Sequence, residues 1–390
     1  LFAFLHITGD HHGIHQLSWL YFFRYLQTRE KNDKEQSGVI KGWKAGRSRA
    51  EMKAARFYEK GKLVVEEVPV KKPGAHEVLI KVKYCGICGT DVHIFQGEKG
   101  SAEVDPPVIL GHELSGDVAE IGEGVTKVKV GDRVSADPNT YCGKCYFCAN
   151  GKKHLCPDMQ GLGTAKDGGF AEYITVPEET VYKIADHVSY KAAAMTEPLS
   201  CCLHGMDLAD VQVGDTVMII GTGNIGLLMV QLARTAGAEK IIAVEPNDRR
   251  REKAKILGAD ICIDPKTENI REVAEENGIQ NIDKVIDCAG LTSTAEDAVE
   301  YAGKGATVVL FGLTGPDDVM GLKPFELFKK SLHQGILVNP DTFERAGRLL
   351  SGGCVKVDDI ITGIIPLDEI QEVFESKLYA KDGKVIIKCF

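Results

Sequence analysis

Apolar and polar positions follow two different patterns along the chain, with a change near residue 200. Before that point, short apolar runs such as 62–68 and 77–87 are rich in β-branched residues and are separated by Gly, Pro and Lys. This pattern is typical of a β-rich domain. After it, apolar runs alternate with helical stretches, in the order TVMII, IIAVE, ADICID, DKVIDCA and ATVVLFG. That alternation predicts an α/β fold with a parallel, doubly wound sheet.

The same change of pattern divides the chain, whose 390 residues exceed what one hydrophobic core usually serves. We expect an unrelated N-terminal extension over 1–51, a β-rich domain over 52–199, a nucleotide-binding domain over 200–338 and a return to the first domain over 339–390. The extension lacks a basic region before its short apolar run, so it is a poor secretory signal. Because the regular pattern begins at Met52, we expect that residue to be the natural start.

Net charge and the placement of glycines exclude two classes of partner. The formal net charge of −9 argues against binding to nucleic acid or to an anionic membrane surface. One uncharged stretch, 216–233, has about the length of a membrane span. Three of its residues, however, are glycines with the spacing G-x-G-x-x-G, which favours a strand, a tight turn and a helix. We therefore expect neither a nucleic-acid partner nor a membrane partner.

Gly221, Gly223 and Gly226 form this motif directly after a predicted strand and at the start of a predicted helix. The first glycine permits a tight turn, the second lets a pyrophosphate approach the backbone, and the third lets helix and strand pack closely. Asn224 and Ile225 lie within the motif, where the N-terminus of the helix faces the anion. A lone motif of this kind is weak evidence, but the strands and helix around it predict a dinucleotide site.

Glu245 ends the next predicted strand, 19 residues after Gly226, where an acid accepts hydrogen bonds from the adenosine ribose. A carboxylate there would repel a 2′-phosphate, so NAD rather than NADP is the expected cofactor. Arg249, Arg250 and Arg251 weaken that preference, because a basic group nearby can accommodate the phosphate, and Arg249 is the expected partner. Alternatively, the three arginines lie on the solvated face of the next helix.

Four of the twelve cysteines crowd into fifteen residues. They are spaced C-x₂-C-x₂-C-x₇-C, at Cys142, Cys145, Cys148 and Cys156. Four thiolates can surround one tetrahedral Zn²⁺ without leaving an open position, so we predict a structural zinc that stabilises a loop with few apolar residues. A chain of this length needs no disulfide scaffold, and clustered thiols beside scattered free cysteines indicate a reducing, cytoplasmic location.

A second set of metal-type ligands is spread along the chain. Cys88 lies in YCGICGTDVH, and His112 and Glu113 are adjacent in ILGHELSG. One thiolate, one imidazole and carboxylates are typical of a catalytic zinc that keeps a position for water or substrate. The residues alone do not determine the last ligand, although Glu197 is a candidate because it is an acid in an otherwise apolar stretch. Each residue by itself is more simply a surface or core polar group; their joint occurrence indicates a site.

The stretch GHELSGDVAEIGEGV, residues 111–125, resembles the signature of zinc-containing alcohol dehydrogenases. With the four-cysteine segment and the glycine motif, the chain from Met52 onward resembles the medium-chain zinc dehydrogenases, which include polyol dehydrogenases. This resemblance implies a GroES-like catalytic domain, a Rossmann domain and an active site in the cleft between them. It also implies two zinc ions per subunit, NAD as the cofactor and an alcohol or polyol as the substrate.

The resemblance assigns ligands to the catalytic zinc. Cys88 and His112 match ligands of that zinc, and Glu113 matches a ligand or a group directly beside it. Glu197 matches the acidic ligand of the polyol and threonine dehydrogenase branches, where liver-type alcohol dehydrogenases have a cysteine.

Three further residues match groups that orient ligands or move protons. Thr90 matches the hydroxyl residue that contacts the alcohol, Asp91 the carboxylate that orients a ligand histidine, and His93 the relay histidine at the surface. The implied chemistry is alcohol oxidation. Zinc lowers the pKa of the substrate hydroxyl, a proton leaves through Thr90, the cofactor ribose and His93, and hydride passes to the nicotinamide.

The resemblance leaves several substrates open. Segments 196–205, 244–250 and 337–353 look most like sorbitol, xylitol and related polyol dehydrogenases. Segment 85–95 is equally similar to L-threonine 3-dehydrogenase, and 244–250 also suits butanediol dehydrogenase.

An alternative of another class is a non-catalytic zinc protein on the same fold. The presence of Thr90 and His93 argues against it, because a structural role needs no proton relay. Family members are usually homodimers or homotetramers, and we expect that an exposed strand such as 305–312 pairs between subunits.

Overall fold

The computed structural model describes residues 51–98, 104–315, 317–328, 330–333, 340–380 and 383–390. In chain order, its strands are β1 (Glu51–Glu59), β2 (Lys62–Pro69), β3 (Glu77–Gly86), β4 (Val108–Ile109), β5 (Glu113–Ile121), β6 (Arg133–Ala136), β7 (Asn139–Thr140), β8 (Gln160–Gly161), β9 (Tyr173–Pro177), β10 (Val181–Lys183), β11 (Thr216–Ile220), β12 (Lys240–Val244), β13 (Ile261–Ile263), β14 (Lys284–Asp287), β15 (Thr307–Leu310), β16 (Ser331–His333), β17 (Ile361–Pro366) and β18 (Lys384–Lys388). Apart from Glu51, the predicted extension over 1–51 lies outside the described residues.

The α-helices are α1 (Gly89–Phe95), α2 (Tyr146–Ala149), α3 (Tyr190–Ala194), α4 (Thr196–Ala209), α5 (Asn224–Ala236), α6 (Asp248–Ile256), α7 (Ile270–Glu276), α8 (Thr292–Tyr301), α9 (Pro340–Ser351) and α10 (Ile370–Glu375). Short 3₁₀ helices span Lys153–Leu155, Glu178–Thr180, Pro324–Leu327, Leu367–Glu369 and Leu378–Ala380. Helix α5 ends before Gly237, whose φ of +99° is a left-handed conformation that favours glycine at a helix C-terminus.

Seven strands form a mixed sheet in the order β10-β6-β5-β3-β18-β17, with β9 also paired to β3. Strands β3 and β5 are antiparallel, in a register that sets Gly86 opposite Glu113. On the other side of β3, β18 sets Ile386 opposite Gly86. The C-terminal strand β18 therefore lies beside β3, the strand that leads to Cys88. The domain boundaries near residues 199 and 338 remain predictions. Smaller sheets have the orders β2-β1-β4 and β7-β8.

Six parallel strands form the second large sheet, in the order β13-β12-β11-β14-β15-β16. Successive side chains of β11 point to opposite faces: Val217 and Ile219 belong to one buried cluster, and Met218 and Ile220 to another. Burial on both faces is what continuous apolar strands require, and it confirms the predicted doubly wound sheet. The strand order reverses between β11 and β14, and such sheets bind ligands at the carboxyl ends of the strands at that point.

The expectation that strand 305–312 pairs between subunits is wrong. Strand β15 lies between β14 and β16, so its backbone is already paired on both sides. Among the described strands, the edge on that side is β16, which has only three residues and gave no apolar pattern. The stretch 216–233 divides into β11 and α5, as predicted. Within the described part of the chain, no helix is both long and apolar enough to cross a bilayer.

Candidate active site

The four predicted zinc thiolates lie together in the loop between β7 and β8. Their sulfur atoms all lie within 4.8 Å of one another. Backbone N–H groups point at several sulfurs: Cys145 N donates to Cys142 Sγ at 3.4 Å, and Cys148 N donates to Cys145 Sγ at 3.4 Å. The N–H groups of Lys144 and Cys145 lower the pKa of the Cys142 thiol to about 7. The loop thus presents four convergent sulfurs, and its backbone lowers the pKa of the Cys142 thiol, whereas burial raises the pKa of the Cys148 thiol to about 12.

The mixed set of ligands comes together from two neighbouring strands. Cys88 is the N-cap of α1, just after β3, and Glu113 is the first residue of β5, which pairs with β3. One donor atom from each of Cys88, His112 and Glu113 lies within 4.8 Å of the other two. The pairing of β3 with β5 therefore assembles a sulfur, an imidazole nitrogen and a carboxylate oxygen.

Asp91 binds the backbone beside two of these ligands, Cys88 and His112. Its side chain is fully buried. Its Oδ2 accepts from Cys88 N at 2.8 Å, and its Oδ1 accepts from Gly111 N at 3.0 Å and lies 3.8 Å from His112 Nδ1. Burial opposes protonation of His112, but the charges of Cys88 and Asp91 outweigh it and hold the pKa of His112 well above its usual range. Asp91 thus lies where a residue that orients the histidine is needed.

Glu197 lies close to this cluster without joining it. It is in the first turn of α4, is 6% exposed, and its Oε1 accepts from the Cys201 thiol at 3.5 Å. Among the described residues, Glu197 is not in the group of donors that share a 4.8 Å radius. Burial raises the pKa of the Glu197 carboxyl to about 7, and the charge of His112 opposes the shift.

Lys384 is a site residue that the sequence analysis missed. It lies on β18, is 4% exposed, and its Nζ is 2.5 Å from Glu113 Oε1. Burial would lower the pKa of Lys384, but the charges of Glu113 and Cys88 outweigh it and raise the pKa. No local motif marks this lysine; its only sequence signal is a charged residue at the start of an apolar strand. Cys201, one helical turn after Glu197, was also missed, because nothing in the sequence separates it from the other scattered cysteines.

The two predicted relay residues lie on α1. Thr90 is half-buried in its first turn, whereas the His93 side chain is 47% exposed. The Nδ1 atom of His93 lies 2.6 Å from Glu98 Oε2. Their positions fit an inner and an outer member of a proton path.

The glycine motif forms the turn between β11 and α5. Gly221 has a φ of +83°, and a Cβ on Gly226 would lie 1.9 Å from the carbonyl oxygen of Gly221. A Cβ on Gly223 would meet nothing within 4 Å, so this residue leaves open space at the N-terminus of α5. Asn224 begins the helix, and its buried Oδ1 has no hydrogen-bond partner among the residues that the structure describes. Ile225 packs against the core beneath the sheet. These are the contacts that a dinucleotide-binding turn requires.

Glu245 closes the glycine turn from the next strand. It is 3% exposed, its Oε2 accepts from Thr222 N at 2.8 Å, and its Oε1 accepts from Asn247 N at 3.0 Å. A cavity beside this turn is lined by Thr222, Gly223, Asn224, Leu227, Arg250, Tyr379 and Gly383. Arg250 therefore faces the candidate cofactor cavity, whereas Arg249, the predicted phosphate partner, is exposed.

Comparison with known proteins identifies the family. Residues 74–186 match the model of the alcohol dehydrogenase GroES-like domain, and residues 224–352 match that of the zinc-binding dehydrogenases. The chain belongs to the zinc-binding alcohol dehydrogenases. Membership confirms the resemblance to this family, its two-part fold and an oxidoreductase activity on CH–OH groups.

Relatives within the family differ in the substrate that they are named for. L-threonine 3-dehydrogenase of Caldanaerobacter subterraneus is 38% identical over 335 residues, which cover 83% of this chain and 94% of that protein. Sorbitol dehydrogenase of Halalkalibacterium halodurans is 36% identical over 336 residues, which cover 84% and 94%. A solved structure described as a zinc-binding dehydrogenase of Sinorhizobium meliloti bound to NADP is 36% identical, with a TM-score of 0.83, covering 87% of this chain and 99% of that one.

Proposed function

We propose that this protein is an NAD-dependent zinc dehydrogenase that oxidises a secondary alcohol of a polyol, of the sorbitol or xylitol type, to a ketone. The observation that carries the proposal is the buried cluster of Cys88, His112 and Glu113, with the acid Glu197 beside it. This set has one thiolate and more than one carboxylate, as in the branch that the segment 196–205 resembles.

The donors of this cluster fit zinc. Sulfur, imidazole nitrogen and carboxylate oxygen are ordinary zinc ligands, and three protein ligands leave a place for substrate. Among the described residues, buried Glu113 Oε2 has no hydrogen-bond partner, which is costly unless a cation satisfies it. Zinc bound here supplies a Lewis acid that lowers the pKa of the substrate hydroxyl. The four-cysteine cluster fits a second, structural zinc, which makes two per subunit.

The protein's own groups handle the proton. Thr90 accepts it from the substrate hydroxyl, and His93, at the exposed end of α1, releases it to solvent with Glu98 as its hydrogen-bond partner. Asp91 takes no part in the transfer; it fixes the loops of Cys88 and His112.

NAD is the proposed cofactor, bound at the turn of Gly221, Gly223 and Gly226. Glu245 places a buried carboxylate at the end of β12, directly under this turn. A 2′-phosphate would bring a second anion to the same place. NADP is the alternative cofactor, and Arg250 is the basic group that would accommodate its 2′-phosphate. The similar dehydrogenase of Sinorhizobium meliloti, whose structure is bound to NADP, supports this alternative.

L-threonine 3-dehydrogenase is the second candidate, favoured by the 38% identical relative named for that activity. L-threonine also presents a secondary hydroxyl to the metal, but it adds a carboxylate and an ammonium group that a polyol lacks. Oxidation of 2,3-butanediol is a third possibility for the same centre.

We further propose a cytoplasmic homodimer or homotetramer. The twelve cysteines are free thiols, which suits a reducing compartment. Edge strand β16 and the side chains of Phe325 and Phe328, 83% and 75% exposed, offer a surface that another subunit can cover.

The proposal is tested with initial rates for sorbitol, xylitol, L-threonine, 2,3-butanediol and simple alcohols, each with NAD and with NADP. We expect the highest kcat/KM for a polyol with NAD. A Cys88→Ser variant is the control, because it keeps the cofactor site and removes a ligand. A preference for L-threonine would select the second candidate, and no oxidation of any alcohol would reject the assignment.

A further inference from the structure

Glu113 is bound from one side by a buried lysine. The Lys384 and Glu113 side chains are 5% and 1% exposed, and their Nζ and Oε1 atoms are 2.5 Å apart. The other oxygen, Oε2, is buried and has no hydrogen-bond partner in the part of the chain that the structure describes. Glu113 therefore has one oxygen neutralised by an ammonium group and a second oxygen left for another partner.

The strands on either side of this pair are built to hold it. Gly86 lies on β3, opposite Glu113 on β5 and opposite Ile386 on β18. A Cβ on Gly86 would lie 2.0 Å from Glu113 Oε2 and 2.9 Å from Lys384 Cε. The two side chains thus fill the space that any other residue at position 86 would need.

A buried ammonium group beside a divalent-cation site has a predictable effect. It repels the incoming cation, and by neutralising part of the carboxylate's charge it weakens the attraction of the other carboxylate oxygen for that cation; both effects are strong where water is excluded. Removing the ammonium group would leave Glu113 as an uncompensated buried anion, which is destabilising until another cation binds it.

We propose that Lys384 is a positioning residue that competes with zinc for Glu113, so that Glu113 is a displaceable ligand and the zinc of the mixed cluster is held loosely. The inference rests on the proposed function, because it requires zinc at Cys88, His112 and Glu113. It assigns Lys384 to the control of metal affinity and coordination rather than to contact with the substrate.

The experiment measures zinc release from the purified holoenzyme into excess 4-(2-pyridylazo)resorcinol, by absorbance. Wild type should release one zinc quickly and one slowly. Lys384→Met should slow the fast release by at least about tenfold, and the slow release should not change. Lys384→Arg keeps the charge and should stay within about threefold of wild type. Circular dichroism checks that each variant is folded, and Lys384→Gln, which keeps an N–H donor, replaces Lys384→Met if that variant does not fold.

A double-mutant cycle separates competition for Glu113 from simple repulsion. In a Glu113→Gln background, Lys384→Met should slow release by much less than in the wild-type background. Equal effects in both backgrounds, or a folded Lys384→Met protein that releases zinc as fast as wild type, would overturn the inference. A wild type that contains only the slow zinc would instead reject the proposed function, so the two failures are distinguishable.

Discussion

The two metal-type clusters are assembled in opposite ways. The four cysteines come from fifteen consecutive residues between β7 and β8, and backbone N–H groups of the same loop point at their sulfurs. The mixed cluster is drawn from β3, α1 and β5, with Glu197 from α4 and Lys384 from β18 as charged neighbours. We expect the local cluster to need a metal to order its loop, whereas the pairing of strands and helices already orders the mixed cluster. Stability should therefore depend on the first cluster and chemistry on the second.

The largest expected effect is on stability. Cys148→Ser removes a buried thiol from the four-cysteine cluster and should lower Tm by about 10 °C or more, because structural zinc contributes folding free energy directly. Cys88→Ser is the matched control in the mixed cluster; it should abolish activity and shift Tm by no more than a few degrees. Differential scanning calorimetry compares them, and equal shifts would contradict the division of roles.

The next effect is on turnover, at the proposed relay residues Thr90 and His93. Thr90→Ala should lower kcat by about 10²- to 10⁴-fold at neutral pH, with little change in NAD affinity. His93→Ala should lower it less, and high pH should restore part of the loss, because the exposed ring can be replaced by solvent. Stopped-flow rates across pH test this. Wild-type rates for His93→Ala at every pH would remove His93 from the relay.

Sites whose residues lie close together in the sequence could be predicted from it, and sites assembled from distant residues could be predicted only in part. The local spacing of the four cysteines and of the glycine motif predicts their sites, because each motif is complete within one loop. The residue types alone indicated that Cys88, His112 and Glu113 form one site, but the resemblance to a family was needed to assign their roles, since only the pairing of β3 with β5 brings these distant residues together. Lys384 could not be predicted at all: its role depends on β18 lying beside β3, a contact across 271 residues to Glu113.

The fold shows the same limit. The strands β11 to β15 were predictable because apolar runs alternate with helical stretches. Strand β16 was not, because three residues carry too little pattern, and the error at 305–312 follows from missing it.

A smaller effect concerns the cofactor. Glu245→Ser should weaken NAD relative to NADP by at least about tenfold, because it removes a charge-assisted acceptor and the repulsion of a 2′-phosphate together. Since Glu245 also holds Thr222 N, binding of both cofactors should weaken; the ratio of kcat/KM values separates the two effects.

The arginines supply the control for that ratio. Adding Arg250→Ala should cancel more of the NADP gain than adding Arg249→Ala, because Arg250 lines the cavity. An unchanged ratio in Glu245→Ser, or a wild type that prefers NADP, would show that Glu245 is not the ribose acid.

The smallest effect concerns the buried carboxyl group of Asp137. Burial raises its pKa to about 7 from the usual 3.8, and the charge of Glu197 adds to the shift. Because the folded state binds this proton more tightly, the group's contribution to stability is complete below about pH 4 and is lost as pH rises toward 7. The stability of wild type relative to Asp137→Asn should therefore fall between these pH values. Thermal unfolding at several pH values measures it, and a parallel pH dependence of the two proteins would contradict the assignment.

The difference between the clusters is tested most directly by following zinc content, activity and ellipticity together during brief chelation with EDTA. The account predicts two zinc ions per chain at the start. The first should leave together with the activity while the ellipticity is unchanged, and the second should leave only as the protein unfolds. A single zinc at the start, activity that survives loss of the first zinc, or simultaneous loss of both with unfolding would contradict it.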